Sequence, residues 1–268
     1  MLGTNLLYYA KRRKVRILIV VVILILIALF SVRNVYNFMR MANMLLEETT
    51  FGAADYIIGI FNSAQFVMFF GIPVSFSILV ADLIRGDMDE NTMQFILARK
   101  QNRAAYLIEK CKLIVAFAIL FTIMILIVAF VVSLLWKLPF AAENYYYLFQ
   151  SFSTALNTFM VVVLIFICGL CFIGFMVLTL SMYVKNAGIA VGIMILLGFI
   201  HNVFFVIGQN EILAWLPFSQ YIVGQYSNHI PYGLDVSYFD SVFAVLYMLV
   251  GSIILLAMTM YKMRKMEI

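Results

Sequence analysis

The sequence predicts an all-α, polytopic membrane protein, and three observations carry that prediction. Only 12% of its 268 residues are charged, about half the share that soluble domains carry. Six apolar runs come close to the length that a helix needs to cross a hydrocarbon core of about 30 Å. These runs cover residues 17–32, 56–81, 113–136, 159–183, 187–206 and 242–261. They lack the period-two alternation of lipid-facing strands, which excludes a β-barrel.

The distribution of cations predicts that both termini lie in the cytoplasm. Fifteen of the 18 lysines and arginines precede the first run, follow the sixth, or lie in the connections after the second and fourth runs. Arg33, Arg40 and Lys137 fall on the other side. Cytoplasmic loops carry the excess of cations, so the cation-rich side faces inward. The net charge of +5 is therefore a topology signal and indicates no nucleic-acid partner.

The sequence predicts a single transmembrane domain over residues 1–268. In its first segment, residues 1–16, leucines and tyrosines precede a basic cluster. That cluster consists of Lys11, Arg12, Arg13 and Lys14. An amphipathic helix here would lie in the headgroup plane, with its cations on anionic lipid. A plain topology anchor explains the same pattern equally well, and both interpretations stay open.

The longest outer segment, residues 207–241, contains the half-apolar stretch EILAWLPFSQYIVG. This stretch is too short to span the bilayer and is broken by Pro217, which is typical of an interfacial or re-entrant helix.

The cytoplasmic connection 82–112 is much longer than a connector needs to be and has the pattern of a short helix. Met93, Ile96 and Leu97 form a narrow apolar stripe, and Asn91 with Gln94 resembles a capping box. Acids at the start of this predicted helix and cations at its end complement the helix dipole. The acids are Asp87, Asp89 and Glu90, and the cations are Arg99, Lys100 and Arg103. The pattern favours a docking element over a solvated connector.

This connection resembles the loop between the second and third spans of ABC-2-type transporter permeases. An acidic lead-in precedes Thr92 and the apolar triplet Phe95-Ile96-Leu97, and Arg103 and Lys110 match the motif's basic positions. Asn91 and Lys100 depart from the usual glycine and Pro/Gly. The layout of six spans, inward termini and a broken outer segment is similar to that of the family, whose architecture is that of a type V exporter.

The resemblance implies a permease that forms a dimer with a second copy or a sister permease and is driven by a separate ATP-binding cassette subunit. It places the contact with that subunit on the loop residues Asp89, Glu90, Thr92, Phe95, Ile96, Leu97, Arg99 and Arg103. Among the branches of the ABC-2 family, small bacterial exporters of amphipathic or antimicrobial peptides are the most similar. The resemblance therefore implies that this chain lies in the cytoplasmic membrane of a bacterial cell.

The chain itself lacks the signature of an ATPase. A Walker A loop requires Gly-Lys-Ser/Thr to cradle phosphates, and none of the nine lysines follows a glycine. We therefore expect no cofactor on this chain, with ATP and Mg²⁺ bound by the partner subunit. We also expect no catalytic and no metal-binding residues, because the two histidines, His201 and His229, lie apart without carboxylates nearby.

The apolar runs contain no Asp, Glu, Lys or Arg well inside them, which disfavours a proton-coupled carrier. Neutral amides are the remaining candidates for a cargo pathway: Asn62, Gln65 and Asn157. Such amides also bridge neighbouring helices, so the pathway role stays an alternative. A second function remains open at this level: a non-transporting immunity or sensor protein that binds a membrane-active peptide.

Overall fold

The structure, a computed structural model, describes helical residues within 16–27 and the ranges 72–89, 103–135, 152–184, 186–208 and 238–265. Five helices have defined bounds: α1 Ile72–Asp89, α2 Arg103–Leu135, α3 Phe152–Tyr183, α4 Ala187–Gly208 and α5 Tyr238–Lys265. In the 16–27 segment, Ile19, Val22 and Ile23 face the core, whereas Ile17, Val20 and Leu24 are exposed. The described residues confirm the all-α class.

Three of the described helices are long and apolar enough to cross a membrane. They are Arg103–Val132, Val163–Tyr183 and Val242–Lys265, and Ile72–Leu83 and Ala187–Ile200 are shorter apolar helices. Large apolar side chains cover the outside of these helices, among them Leu135, Ile253 and Leu196. Because such a surface is stable only against lipid or another protein, the chain is a membrane-embedded helical protein.

Several helices extend beyond the apolar runs that predict them. Helix α1 continues through Asp89 although its run ends at residue 81, and α2 begins at Arg103, ten residues before its run. With 33 residues, α2 is about 50 Å long, well over the hydrocarbon thickness. Residues 82–89 and 103–112, predicted as parts of a loop, therefore belong to the ends of helices α1 and α2.

Side-chain contacts fix the directions of the helices. Helices α1 and α2 are antiparallel, since Phe76 packs edge-on against Phe121 and Lys110 reaches the Leu83 carbonyl. Helices α3 and α5 are parallel, because Phe172 faces Gly251 while Thr179 faces Thr259.

Two further contacts place the helix ends. Arg103 at the start of α2 bonds to the end of α5. The short turn after α3 is closed by Asn186, whose Oδ1 accepts from Gly188 N–H at 2.8 Å as the N-cap of α4. The C-termini of α1, α3 and α5 and the N-termini of α2 and α4 therefore share one end of the bundle.

Helix α3 occupies the centre of the bundle and contacts the four other helices. Its Gly174 allows a close approach, because a Cβ there would lie 2.5 Å from Ile114 Cγ2 and 3.1 Å from Phe76 Cε1. On the opposite side, Phe172 and Thr179 of α3 meet Gly251 and Thr259 of α5, a contact that we call the α3–α5 seam. A Cβ on Gly251 would lie 2.6 Å from Phe172 Cε2.

Candidate functional site

The buried face of α1 changes from apolar to charged near the end of the helix. Phe76, Val80 and Leu83 are almost fully buried and recur every three or four residues, which is the spacing of one helix face. The next position on that face is Asp87, which is also buried. The inward face of α1 therefore ends in a carboxylate.

Helix α2 has the same feature at its beginning. Ile114, Phe117 and Phe121 lie on its buried face, and the same spacing traced back toward the N-terminus reaches Lys110 and Tyr106. Both of these side chains are buried against α1. Because the two helices are antiparallel, their polar core positions meet.

Asp87, Tyr106 and Lys110 form a compact group that we call the α1–α2 clamp. Lys110 Nζ lies 2.6 Å from Asp87 Oδ2 and donates to the Leu83 carbonyl at 2.7 Å. Tyr106 Oη donates to the same carboxylate oxygen at 3.1 Å, and the ammonium lies 5.2 Å from the centre of the Tyr106 ring. One cation thus contacts a carboxylate, a backbone carbonyl and an aromatic face.

Burial makes the two charges depend on one another. The side chains of Lys110 and Asp87 are only 5% and 6% exposed. Asp87 also lies in the last turn of α1, where the helix dipole opposes a negative charge. An isolated buried charge is costly, and breaking a buried pair from one side costs about 3–5 kcal/mol. The clamp therefore holds α1 and α2 together firmly at this end.

The clamp lies at one end of the apolar part of α2. Lys110 precedes the first residue of the long apolar run of α2, Leu113, by three positions, or about 4.5 Å along the helix axis. It closes the base of the connection 90–102, which joins the end of α1 to the start of α2. The two ends of that connection are consequently fixed to each other.

A second polar contact is made by the residue that follows the connection 90–102. Arg103, the first residue of α2, donates from Nη1 to the carbonyl oxygens of Met263 and, at 3.0 Å, Arg264. These carbonyls belong to the last turn of α5. The start of α2 therefore contacts α1 through the clamp and α5 through Arg103.

The residues predicted to contact an ATP-binding subunit lie mainly in the connection 90–102, between the end of α1 and the start of α2. Asp89 is the last residue of α1 and Arg103 the first of α2. The others lie outside the described residues: Glu90, Thr92, Phe95, Ile96, Leu97 and Arg99. Asp87, expected at the start of a loop helix, belongs instead to the last turn of α1.

The other predicted site residues lie in α3 or outside the described residues. Asn157 lies within α3, which begins at Phe152 and so includes a residue expected just before the span. The pathway candidates Asn62 and Gln65 and the basic cluster Lys11, Arg12, Arg13 and Lys14 lie outside the described residues.

Sequence reasoning missed that Asp87, Tyr106 and Lys110 form one buried group. It treated the two charges as loop residues, because charged positions outside an apolar run are ordinarily solvated. The signal that could have found them is the phase of the buried stripe. Continuing the 76, 80, 83 pattern of α1 reaches Asp87, and tracing the pattern of α2 backward reaches Lys110. A core position that carries a charge requires a partner on the facing helix.

The described part of the chain contains no cluster of three His, Cys, Asp or Glu side chains arranged to hold a metal ion. Cys111, Cys168 and Cys171 are free thiols and partly buried, and thiols in such positions behave as small apolar packing residues.

Comparison with known families places the chain in one of them. The profile of the family described as Protein of unknown function (DUF2705) matches residues 17–268. The chain belongs to this DUF2705 family. No curated protein and no solved structure matches it. The DUF2705 match includes both helices of the clamp and the whole of α5, so the polar contacts described above lie within the family's own region.

Proposed function

We propose that this chain is the transmembrane permease subunit of an ATP-driven ABC exporter in a bacterial cell membrane. It has six spans, cytoplasmic termini and the ABC-2-type architecture, and it dimerises with a second copy or a sister permease. A separate ATP-binding cassette subunit contacts the connection 90–102 and supplies the energy. The cargo is an amphipathic or hydrophobic substrate, with a peptide favoured.

The directions of the helices support this layout. Helices α1, α3 and α5 end, and α2 and α4 begin, at the same end of the bundle, as the second to sixth spans of a six-span chain with inward termini would. That end carries the basic residues Arg103, Lys110, Lys112, Lys262, Arg264 and Lys265. By the positive-inside rule it is the cytoplasmic end, where ATP is available.

The clamp is the observation that carries the proposal. A partner that pushes on a loose loop moves only that loop, whereas a partner that pushes on a segment with rigidly joined ends moves the attached helices. The buried pair Asp87–Lys110 provides such a joint at the base of 90–102. Lys110 is also one of the basic positions through which the sequence resembles the ABC-2 family.

The distribution of charge favours cargo movement driven from outside this chain. Between Leu113 and Leu135 of α2, and throughout α3, the sequence contains no Asp, Glu, Lys or Arg. A proton-coupled carrier generally places an ionisable side chain at that depth. The inward-facing residues are instead aromatic, aliphatic and Met side chains such as Phe166, Met182 and Met194, which adapt to varied apolar shapes.

Reconstitution tests the proposal. The full chain is placed in proteoliposomes with an ATP-binding cassette subunit from the same cell, and movement of a fluorescent amphipathic peptide is followed with and without ATP. We expect ATP-dependent movement in one direction. Replacing residues 90–102 by a Gly/Ser segment of equal length, with the clamp intact, should abolish both binding of the ATPase subunit and transport.

The matched control exchanges a segment on the other side of the predicted membrane for Gly/Ser, for example residues 142–148. This change should leave binding of the ATPase subunit unaltered. If the peptide binds but is never moved, with or without ATP, the permease proposal fails and a non-transporting immunity or sensor protein becomes the better interpretation.

A further inference from the structure

The last turn of α5 has its carbonyls satisfied by a side chain from a distant part of the sequence. The final carbonyls of a helix have no partner within the helix. In α5, the carbonyls of Met263 and Arg264 both accept from the guanidinium of Arg103, 160 and 161 residues away in sequence. The end of the last described helix is thus capped by the first residue of α2.

The chemistry of this cap suits arginine. The guanidinium is planar, remains charged and presents several donors in a fixed arrangement, so that it can serve two neighbouring carbonyls. Its positive charge also lies at the negative end of the α5 dipole. The contact is partly buried on the Met263 side, which strengthens it relative to a fully solvated contact.

The cations of α5 itself are directed elsewhere. Lys262 Nζ lies 5.3 Å from the ring centre of Tyr183 at the end of α3, and Lys265 Nζ lies 4.4 Å from the ring centre of Tyr261. In the contacts of this helix end, the two α5 lysines are therefore paired with aromatic faces, while the two carbonyls are served from α2.

We infer that Arg103 is a positioning residue that ties the start of α2 to the end of α5. A displacement of the start of α2 therefore displaces the end of α5. Helix α5 in turn contacts α3 along the α3–α5 seam, so that the displacement reaches the centre of the bundle. The use of this link by an ATPase rests on the proposed function, whereas the link itself does not.

The structure gives Arg103 a different role from the one that the resemblance implies. The family motif makes the arginine one of the contacts with the ATP-binding subunit. In the structure its guanidinium faces the end of α5 within the same chain. Substitution of Arg103 should consequently uncouple the subunits without preventing them from binding each other.

Hydrogen exchange of the full chain in lipid nanodiscs tests the link without any partner. Arg103→Gln removes the charge and the bridging donors, and we expect the amides of residues 259–265 to exchange at least about fivefold faster, as the last turn of α5 frays. Lys112→Gln is the matched control: it removes one cation from the exposed surface of the same helix and should leave α5 unchanged. Arg103→Lys keeps one donor group and should give intermediate protection, which provides a second reading if Arg103→Gln folds poorly.

A parallel binding measurement separates the two proposals. With the ATPase subunit present, Arg103→Gln should bind it within about twofold of the parent affinity, a difference of about 0.4 kcal/mol, while ATP-driven transport is lost. Weakened binding with unchanged exchange in α5 would make Arg103 a partner contact and overturn the link, leaving the permease proposal standing. Unchanged exchange with unchanged binding would overturn the link as well. Faster exchange in a chain that no ATPase subunit binds would support the link and count against the permease.

Discussion

The α1–α2 clamp and the α3–α5 seam join pairs of helices by different physical means. The clamp uses a buried ion pair, Lys110 with Asp87, and a tyrosine hydroxyl. The seam uses Gly251 under the Phe172 ring and a hydrogen bond of 2.9 Å between Thr179 and Thr259. The first lies at the end of the helices and the second within the apolar part of the bundle.

The two contacts differ in what happens when the helices separate. Thr179 Oγ1 also lies 2.8 Å from the Phe175 carbonyl and Thr259 Oγ1 2.9 Å from the Leu255 carbonyl, each within its own helix. Each hydroxyl has one hydrogen, so one of them donates across the seam while the other donates within its own helix, and both can donate within their own helices when the seam opens. Parting α3 from α5 therefore leaves both hydroxyls satisfied. Parting α1 from α2 would leave two buried charges without each other. The comparison indicates that the clamp is a fixed joint and the seam an adjustable one.

The largest expected effect comes from removing one charge of the clamp. Lys110→Met leaves Asp87 buried without its cation, and we expect a loss of about 3–5 kcal/mol in the free energy of unfolding. Reversible unfolding in mixed detergent, followed by circular dichroism, measures this loss.

The double variant Asp87→Asn with Lys110→Met is the control for that measurement. It removes both charges and should recover most of the stability, because a neutral amide still accepts from Tyr106. A double variant as unstable as Lys110→Met alone would show that the clamp acts through packing and not through charge.

Removing the hydroxyl of the clamp should have a smaller effect. Tyr106→Phe keeps the ring under the Lys110 ammonium but deletes the hydrogen bond to the carboxylate, and a bond to a charged group contributes about 1.5–3 kcal/mol. The same unfolding measurement applies. A loss in Tyr106→Phe that persists in the charge-free double background would mean that the hydroxyl has another role than binding Asp87.

A glycine tests the tightness of the seam. Gly251→Ala places a methyl group 2.6 Å from Phe172 Cε2, so the ring or the helix must shift, at a cost of about 1–3 kcal/mol. Gly192→Ala in α4 is the matched control, because a Cβ at that position meets no atom within 4 Å. It should be neutral or stabilising by up to about 1 kcal/mol through helix propensity. Equal effects at the two glycines would contradict the close approach of α3 and α5.

The smallest effect is expected for the hydroxyl pair of the seam. Thr179→Val removes an interhelical hydrogen bond whose average contribution in membranes is about 0.6 kcal/mol. This loss should be several times smaller than that of Lys110→Met in the same assay. A comparable loss would remove the distinction between a fixed and an adjustable joint.

The sequence predicts the membrane-embedded part of the helices better than it predicts their ends. Hydropathy marks where a helix is in contact with lipid, and the runs beginning at 113, 187 and 242 correspond to α2, α4 and α5. It does not show that the helices continue through Asp87 or begin at Arg103, since a helix that leaves the hydrocarbon carries charges as a loop does. The spacing of the buried residues along each helix does show where the helix continues. Averaging hydropathy over a window of residues removes this spacing.

Polar contacts between residues that are far apart in the sequence are harder still to predict. Arg103 meets Met263 across 160 residues, and nothing local to either position indicates the other. Thr179 and Thr259 likewise have the pattern of ordinary threonines that bond back to their own helix. Such pairs follow from how the helices are arranged around α3, which a single sequence does not specify. The charges of the clamp differ from these contacts, because a charge at a buried position of a helix predicts a partner on the facing helix.

The sidedness of the clamped end tests the account most directly, since an ATPase can act there only from the cytoplasm. In a chain whose three cysteines are replaced by alanine, Lys112→Cys and Leu135→Cys place one thiol at each end of the apolar part of α2, both at exposed positions and about 35 Å apart. A membrane-impermeant maleimide applied to intact cells should label position 135 and leave position 112 unlabelled until the membrane is opened. Labelling of position 112 from outside would put the clamp, the 90–102 connection and the end of α5 on the wrong side of the membrane for any ATP-binding partner.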